Sequence, residues 1–304
     1  MNGSAAAQPA FTVFTPTFNR AHTLPRAYES LRAQTLRDFE WLVVDDGSTD
    51  GTAALVERWA AESAFPIRYF HQPWSGKHVA DNLAAREAHG TFYATLDADD
   101  RYLPHALEVF ARVWETIGAD ERDGFVGVVG LCQDLEGHLI GSRFPLDPLD
   151  TSYTELADVH KVTGDKAGMA RTEVIRRFPF PVVPGERLII EGLVYTQIAR
   201  EYRIRCVNEV LKVVDYQETG LSASARADFR RNPRTASAYF LQRSRLLERS
   251  AWPARARAQA QHTRYCLHAG RPAASLRDAP SKAVWLATLL LGLGLWLRDR
   301  MRGA

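Results

Sequence analysis

Cysteine is nearly missing from this chain: there are three in 304 residues, Cys132, Cys206 and Cys266, odd in number and in no CxxC spacing. That excludes a disulfide framework and a cysteine-rich zinc site, and it fits a reducing cytoplasm. Net charge is nearly absent as well, with 38 basic residues against 36 acidic ones and a formal balance of +2. A nucleic-acid partner is therefore not expected, because proteins that neutralise phosphate backbones carry a net basic domain. No apolar run reaches the roughly 20 residues needed to cross a bilayer. The opening MNGSAAAQPA has neither the basic start nor the apolar core of a secretory signal, and residues 1–10 read as a short disordered lead-in. What is present is an ordinary globular composition, 46% hydrophobic and 24% charged. It is sufficient for one large domain and an appendage, with no internal repeat.

Strand-like and helix-like segments alternate through the first half, the pattern of an α/β sheet with parallel strands. Phe11 to Thr15, Glu40 to Val44, Ile67 to His71, Phe92 to Leu96 and Gly124 to Leu131 read as strands. Helices are predicted from Leu24 to Leu36, Thr52 to Glu62, Val79 to His89 and Pro104 to Thr116. Farther on, Ile189 to Glu201 reads as helix and Cys206 to Tyr216 as strand. The segment Thr163 to Met169 is polar and punctuated by glycine, unlike a core strand. Beyond Gly220 the chain looks helical, with breaks at Asn232-Pro233, Trp252-Pro253 and Arg271-Pro272.

The chemistry-bearing residues follow strand ends. Asp97 and Asp99 flank Ala98 at the end of a strand, and the period of two directs both carboxylates to one face. Such a pair suits a hard divalent cation, Mg²⁺ or Mn²⁺, with phosphate oxygens completing the shell. The same acids would also serve as an ordinary helix-capping turn, as would Asp45-Asp46-Gly47-Ser48 after the second strand.

Three motifs fall in one order and spacing: Thr15-Pro16-Thr17-Phe18-Asn19-Arg20, then Asp45-Asp46-Gly47-Ser48-Thr49-Asp50-Gly51, then Leu96-Asp97-Ala98-Asp99-Asp100. Together they make the chain resemble the family-2 glycosyltransferases of GT-A fold, closely from Phe11 to Thr116 and more loosely to Leu221. The resemblance implies a Rossmann-like mixed sheet flanked by helices. It assigns 11–221 to the glycosyltransferase domain, 11–131 being the nucleotide-binding half and 132–221 the acceptor half. Residues 222–304 would form a helical C-terminal extension.

It also implies an inverting transfer of a sugar from a nucleoside diphosphate donor, UDP-linked by the leaning of Asp46, to an acceptor hydroxyl. Thr15, Pro16, Thr17 and Asn19 would hold base and ribose, and Asp46 would accept the N3–H of uracil. Asp97 and Ala98 would border ribose and phosphates, Asp99 would ligate Mn²⁺ or Mg²⁺, and Lys77 would contact the phosphates or sugar. Glu191 is the expected general base, with Glu186 as its alternative because the family's commoner Glu-Asp pair is missing. Asp165 and Lys166 are weaker candidates for a border of the sugar or acceptor. Two rivals are a sugar-1-phosphate nucleotidylyltransferase, whose glycine-rich phosphate loop has no counterpart in FTPTFNRAHTL, and a non-catalytic nucleotide-sugar-binding scaffold.

The acceptor is expected to be a saccharide or lipid-linked saccharide, in envelope or capsule polysaccharide synthesis, with the enzyme cytoplasmic or at the inner face of the membrane. Eleven arginines lie between Arg226 and Arg271, against Asp228 and Glu248 alone. Ala283 to Leu297 is an apolar run of fifteen residues bounded by Lys282 and by Arg298, Arg300 and Arg302. Three placements for this run stay open: one leaflet of a membrane, with Trp285 and Trp296 at interface depth, the protein core, or a homo-oligomer interface.

Overall fold

The computed structural model of the protein describes residues 9–187, 190–216, 229–246 and 252–302. Two compact units emerge from them, one formed by residues up to Phe180 together with Val194–Gln217, the other by Pro181–Leu193 with the chain from Glu218 onward. The boundary expected between 221 and 222 lies outside the described residues, as does most of the lead-in.

The first unit is built on a nine-stranded mixed sheet. Strands β1 (Phe11–Thr17), β2 (Phe39–Asp45), β3 (Ile67–His71) and β4 (Phe92–Thr95) are mutually parallel, in the order β3-β2-β1-β4. β1 and β2 are buried along almost their whole length, as strands covered by helices on both faces must be. The covering helices are α1 (Leu24–Arg32), α2 (Thr52–Glu62), α3 (Lys77–Glu87) and, after the short strand β5 (Arg101–Tyr102), α4 (Ala106–Glu115). Apolar residues at helical spacing make the contact: Leu24, Ala27, Tyr28 and Leu31 from α1, Leu107, Phe110, Val113 and Trp114 from α4. Tyr28 stacks on Trp59 with ring centroids 4.4 Å apart.

The sheet continues through β8 (Lys166–Arg171), antiparallel to both β4 and β6 (Phe125–Gln133), and then β9 (Arg203–Val213), parallel to β6. β7 (Leu149–Thr151) pairs with β9, as β5 does. β8 corrects the expectation for residues 163–169: much of that polar, glycine-bearing segment is a central strand. Its apolar content is Ala167, Met169 and Ala170, all buried but small or unbranched, so it makes no conspicuous hydrophobic run. The small residues are needed, because a Cβ on Gly127 of β6 would lie 1.9 Å from the Met169 carbonyl oxygen. Two short helices, α5 (Tyr153–Asp158) and α6 (Thr172–Arg177), sit beside these strands, α5 opened by a reciprocal Ser152/Glu155 cap.

α7 (Gly192–Ile198) is shorter than the helix expected from 189 to 201, and the division between the units falls inside it. The second unit is helical, with α8 (Pro233–Leu246), α9 (Trp252–His268), α10 (Pro272–Arg277) and α11 (Lys282–Met301). Three of the four begin at the proline breaks read from the sequence, since proline has no N–H to leave unpaired in a first turn. α9 packs against α8 and α11, and Gly292 of α11 admits the backbone of Ala260 and the side chain of Thr263. Across that contact Asp299 accepts from Arg264 (2.7 Å to Nη2) and pairs with His268 (2.9 Å).

Candidate active site

In the parallel part of the sheet, Thr17 is in register with Asp45 and Phe14 with Thr95, so the loops after β1, β2 and β4 gather at one carboxyl edge. Ligands of open α/β sheets bind at such an edge. The loops are tied to each other. Asn19, in left-handed backbone at φ 52°, accepts the Thr49 N–H through Oδ1 (2.9 Å) and gives its own N–H to Ser48 Oγ (2.8 Å). Asp45 accepts from the Ser48 N–H and from the Tyr69 hydroxyl, each at 2.7 Å.

Asp46 is buried, and its carboxylate accepts from Gln72 Nε2, Ser75 N and Gly76 N, each at 2.8 Å. It thereby pins the 72–76 loop and the start of α3. Gly76 is at φ 104°, a conformation that favours glycine, and leads directly into Lys77 as the first residue of α3. Lys77 is thus a helix-start residue and not a loop lysine, and its Nζ lies 2.7 Å from Asp97 Oδ1. Two buried polar atoms in this region, Thr17 Oγ1 and His78 Nδ1, have no hydrogen-bond partner. Thr15, by contrast, turns inward and accepts from Trp41 Nε1 at 2.9 Å, and Pro16 sits in register with Val44.

The acids after β4 differ in their partners. Burial pushes the Asp97 carboxyl up, but the ammonium groups of Lys77 and Lys212 outweigh it and hold that carboxyl below its ordinary value. Asp100 is buried and bonded to Lys212 Nζ at 2.9 Å, while its Oδ1 faces the Asp215 N–H at 3.4 Å. Burial would neutralise Lys212, yet the carboxylates of Asp100 and Asp97 more than reverse this and keep it cationic. Among the described residues the Asp99 carboxylate has no hydrogen bond or ion pair with another residue, only one from its own backbone N–H. Burial and the neighbouring Asp97 charge push its carboxyl up. Three carboxylates thus face two bonded ammonium groups, and Asp99 is the one without a bonded cation, Arg20 and Lys77 acting on it only through space. An all-oxygen donor set with one unmatched carboxylate fits a hard divalent cation.

The family description "Glycosyl transferase family 2" matches residues 12–173. The chain belongs to glycosyl transferase family 2. Within this family it is 30% identical over 212 residues to an uncharacterized glycosyltransferase of Nostoc sp., covering 66% of this chain and 62% of that protein. It is 36% identical over 104 residues to an uncharacterized glycosyltransferase of Rickettsia felis, 34% of this chain but 17% of that one. A Campylobacter jejuni protein named GalNAc(5)-diNAcBac-PP-undecaprenol beta-1,3-glucosyltransferase is 33% identical over 134 residues, 43% of this chain and 41% of that. The matches therefore span less than two thirds of these relatives' own lengths.

The fold is that of the GT-A glycosyltransferases. S. aureus TarS 1-349, solved in complex with UDP-GlcNAc, superposes with a TM-score of 0.59 at 18% identity, over 92% of this chain and 79% of that one. The Pyrobaculum calidifontis mannosyltransferase PcManGT, solved with GDP-Man and Mn²⁺, gives 0.56 at 22% identity, over 96% and 81%.

None of the other family-derived candidates is bonded to these carboxylates among the described residues. Asp165 accepts the Tyr216 hydroxyl at 2.7 Å, and Lys166 spends its ammonium on the carbonyls of Thr163, Gly164 and Asp165, closing its own turn. Glu186 and Glu191 belong to the second unit. Glu186 caps α8, accepting the N–H groups of Arg234 (2.8 Å) and Thr235 (2.7 Å) and the Thr235 hydroxyl (2.6 Å). Glu191 is exposed, just ahead of α7, with no side-chain partner among the described residues.

Sequence reasoning missed Asp100 with Lys212, although a lysine inside the apolar strand CVNEVLKVVDY is itself a signal of a buried partner. It also missed Phe18 and Trp74, exposed rings stacked 5.3 Å apart from the two loops that Asn19 and Asp46 organise. A surface cavity of about 490 Å³ between α1 and α2, lined by Tyr28, Arg32, Arg58 and Trp59, contains none of these groups. Asp134, Glu136 and His138 could also surround a cation, but Asp134 there accepts the N–H groups of Glu136 and His138 and so organises an exposed turn.

Proposed function

We propose that the chain is an inverting glycosyltransferase that moves a sugar from a nucleoside diphosphate donor, UDP-linked, to an acceptor hydroxyl. The observation that carries this is Asp99, a carboxylate without a bonded cation, beside the Lys77–Asp97 pair at the sheet's carboxyl edge. Asp99 and Asp97 would hold Mn²⁺ or Mg²⁺, which when bound supplies Lewis-acid stabilisation of charge on the diphosphate. The Mn²⁺ in the PcManGT structure supports that class of ion.

The chain's own residues account for the rest. Lys77, at the N-terminus of α3, can exchange its Asp97 partner for a phosphate oxygen, where the helix end also favours negative charge. The Phe18–Trp74 platform offers a π-face to the base. Thr17 and Asn19 lie where the ribose would rest, and Thr17 supplies an unpartnered hydroxyl. Asp46 has three protein donors already, and a carboxylate has about four lone-pair directions, so one remains for the uracil N3–H. Glu191 takes the proton of the attacking hydroxyl, and Glu186 does not, being committed to the α8 cap. The acceptor is a saccharide, free or lipid-linked, and the enzyme works in the cytoplasm at the inner face of the membrane. The undecaprenol in the Campylobacter relative's name supports a lipid carrier.

Titration calorimetry with UDP, GDP and dTDP, each with and without Mn²⁺, tests the donor site. Metal-dependent binding of UDP, lost in Asp99→Ala, is the expected result. Absence of nucleotide binding under every condition would sink the reading and leave the fold alone standing.

A further inference from the structure

The terminal helix α11 has two unlike faces. Val284, Thr288, Gly292 and Asp299 are buried on the side packed against α9. On the other side Leu286 is 68% exposed, Leu290 82%, Leu291 51%, Leu297 50% and Met301 80%. Leu286, Leu290, Leu297 and Met301 recur at helical spacing, with Leu291 at the margin, and such an apolar stripe on a surface marks an interaction site.

The charges bordering the stripe are of one sign. Lys282 stands at the start, its ammonium also donating to the carbonyls of Leu276 and Arg277, and Arg298, Arg300 and Arg302 stand at the end, all exposed. The single acid of the helix, Asp299, is buried against Arg264 and His268 and presents nothing outward. We propose that this face of α11 docks on an anionic lipid surface, its leucines entering the acyl boundary and its terminal cations meeting the headgroups. The helix lies in the plane of the surface. The fifteen-residue apolar run is about 22 Å long at 1.5 Å per residue, short of a hydrocarbon core of about 30 Å. Correspondingly, no helix among the described residues is long and apolar enough to cross a membrane.

A second copy is the poorer occupant. Pairing two such faces, in either relative direction, would set Lys282 and the arginines against the same cations with no outward carboxylate on the helix to answer them. One sequence expectation changes: the Trp285 indole N–H donates to Ser275 Oγ at 3.1 Å, tying that ring to α10, and leucines rather than Trp285 form the contact face.

The surface gives the proposed location at the membrane a physical basis without depending on the donor chemistry. The test is co-sedimentation of the full chain with vesicles of phosphatidylcholine alone and of phosphatidylcholine mixed with phosphatidylglycerol. Pelleting with the anionic vesicles is expected, weaker without phosphatidylglycerol and weaker with added salt. Leu286→Glu combined with Leu290→Glu should lower it about tenfold or more, since both apolar burial and charge attraction drive interfacial helices. Both positions are largely exposed, so the double variant should keep the parent circular dichroism and whatever nucleotide binding the parent shows. That separates failure of this proposal from misfolding and from failure of the donor-site reading. No pelleting of the folded chain with anionic vesicles, or pelleting indifferent to the double variant, overturns the proposal. So does a dimer that the double variant dissolves in the absence of lipid binding, which would give the face to a second copy.

Discussion

At the scale of single residues, what separates the candidate site from an acidic turn is the unequal partnering of chemically identical groups. Asp97, Asp99 and Asp100 lie within four residues of sequence, yet two have a lysine in bonding contact and one does not. Lys212 is the least conspicuous member and should be among the most sensitive. Lys212→Met would leave Asp100 buried without its cation, and losing one partner of a buried pair costs about 3 to 5 kcal/mol. Denaturant unfolding should register that loss, and any Mn²⁺-dependent nucleotide binding should weaken with it. The two glutamates make a second contrast. Glu186→Ala should destabilise α8 by about 1 to 2 kcal/mol, because a cap accepting two backbone N–H groups is removed. Glu191→Gln should leave stability and nucleotide binding unchanged while reducing turnover by about 10² to 10⁴, the usual contribution of a general base. Equal turnover in parent and Glu191→Gln would return the base assignment to other carboxylates.

At the scale of elements, helix starts and the buried parallel strands were legible, and the strand that closes the sheet's centre was not. The starts at Pro233 and Pro272 follow from proline's fixed φ and missing N–H, which are local properties. β8 is held by long-range pairing with β4 and β6, whose close approach requires small residues, and small residues give no hydrophobic period. The contact between α9 and α11 likewise depends on a pair distant in sequence. Burial raises the Asp299 carboxyl, but hydrogen bonds from Arg264 and His268 outweigh it, so the folded value is depressed. A depressed carboxyl contributes stability that is fully present above its unfolded pKa, near 3.8, and is lost as pH falls through the lower folded value. Acid unfolding of the full chain should therefore show a loss in that window that is missing from Asp299→Asn, whose stability at neutral pH should be lower by about 3 kcal/mol.

For the whole molecule, the α/β class, the order of the loops at the sheet's carboxyl edge and the cations bracketing the terminal apolar run were determined by the sequence alone. Each is encoded locally: hydrophobic period, turn residues after strands, and cations bracketing an apolar run. Three motifs in register also carried the family, because their spacing is that of successive strands in one sheet. Only the tertiary structure decided which carboxylate is left unmatched, since Lys212 reaches Asp100 from a strand more than a hundred residues away. It likewise decided that Glu186 is committed to a helix cap and that Asp299 is hidden, leaving α11 outwardly basic. Those outcomes depend on which side chains meet across the fold, and pairwise electrostatics and hydrogen bonding are fixed by distance in space rather than by distance along the chain.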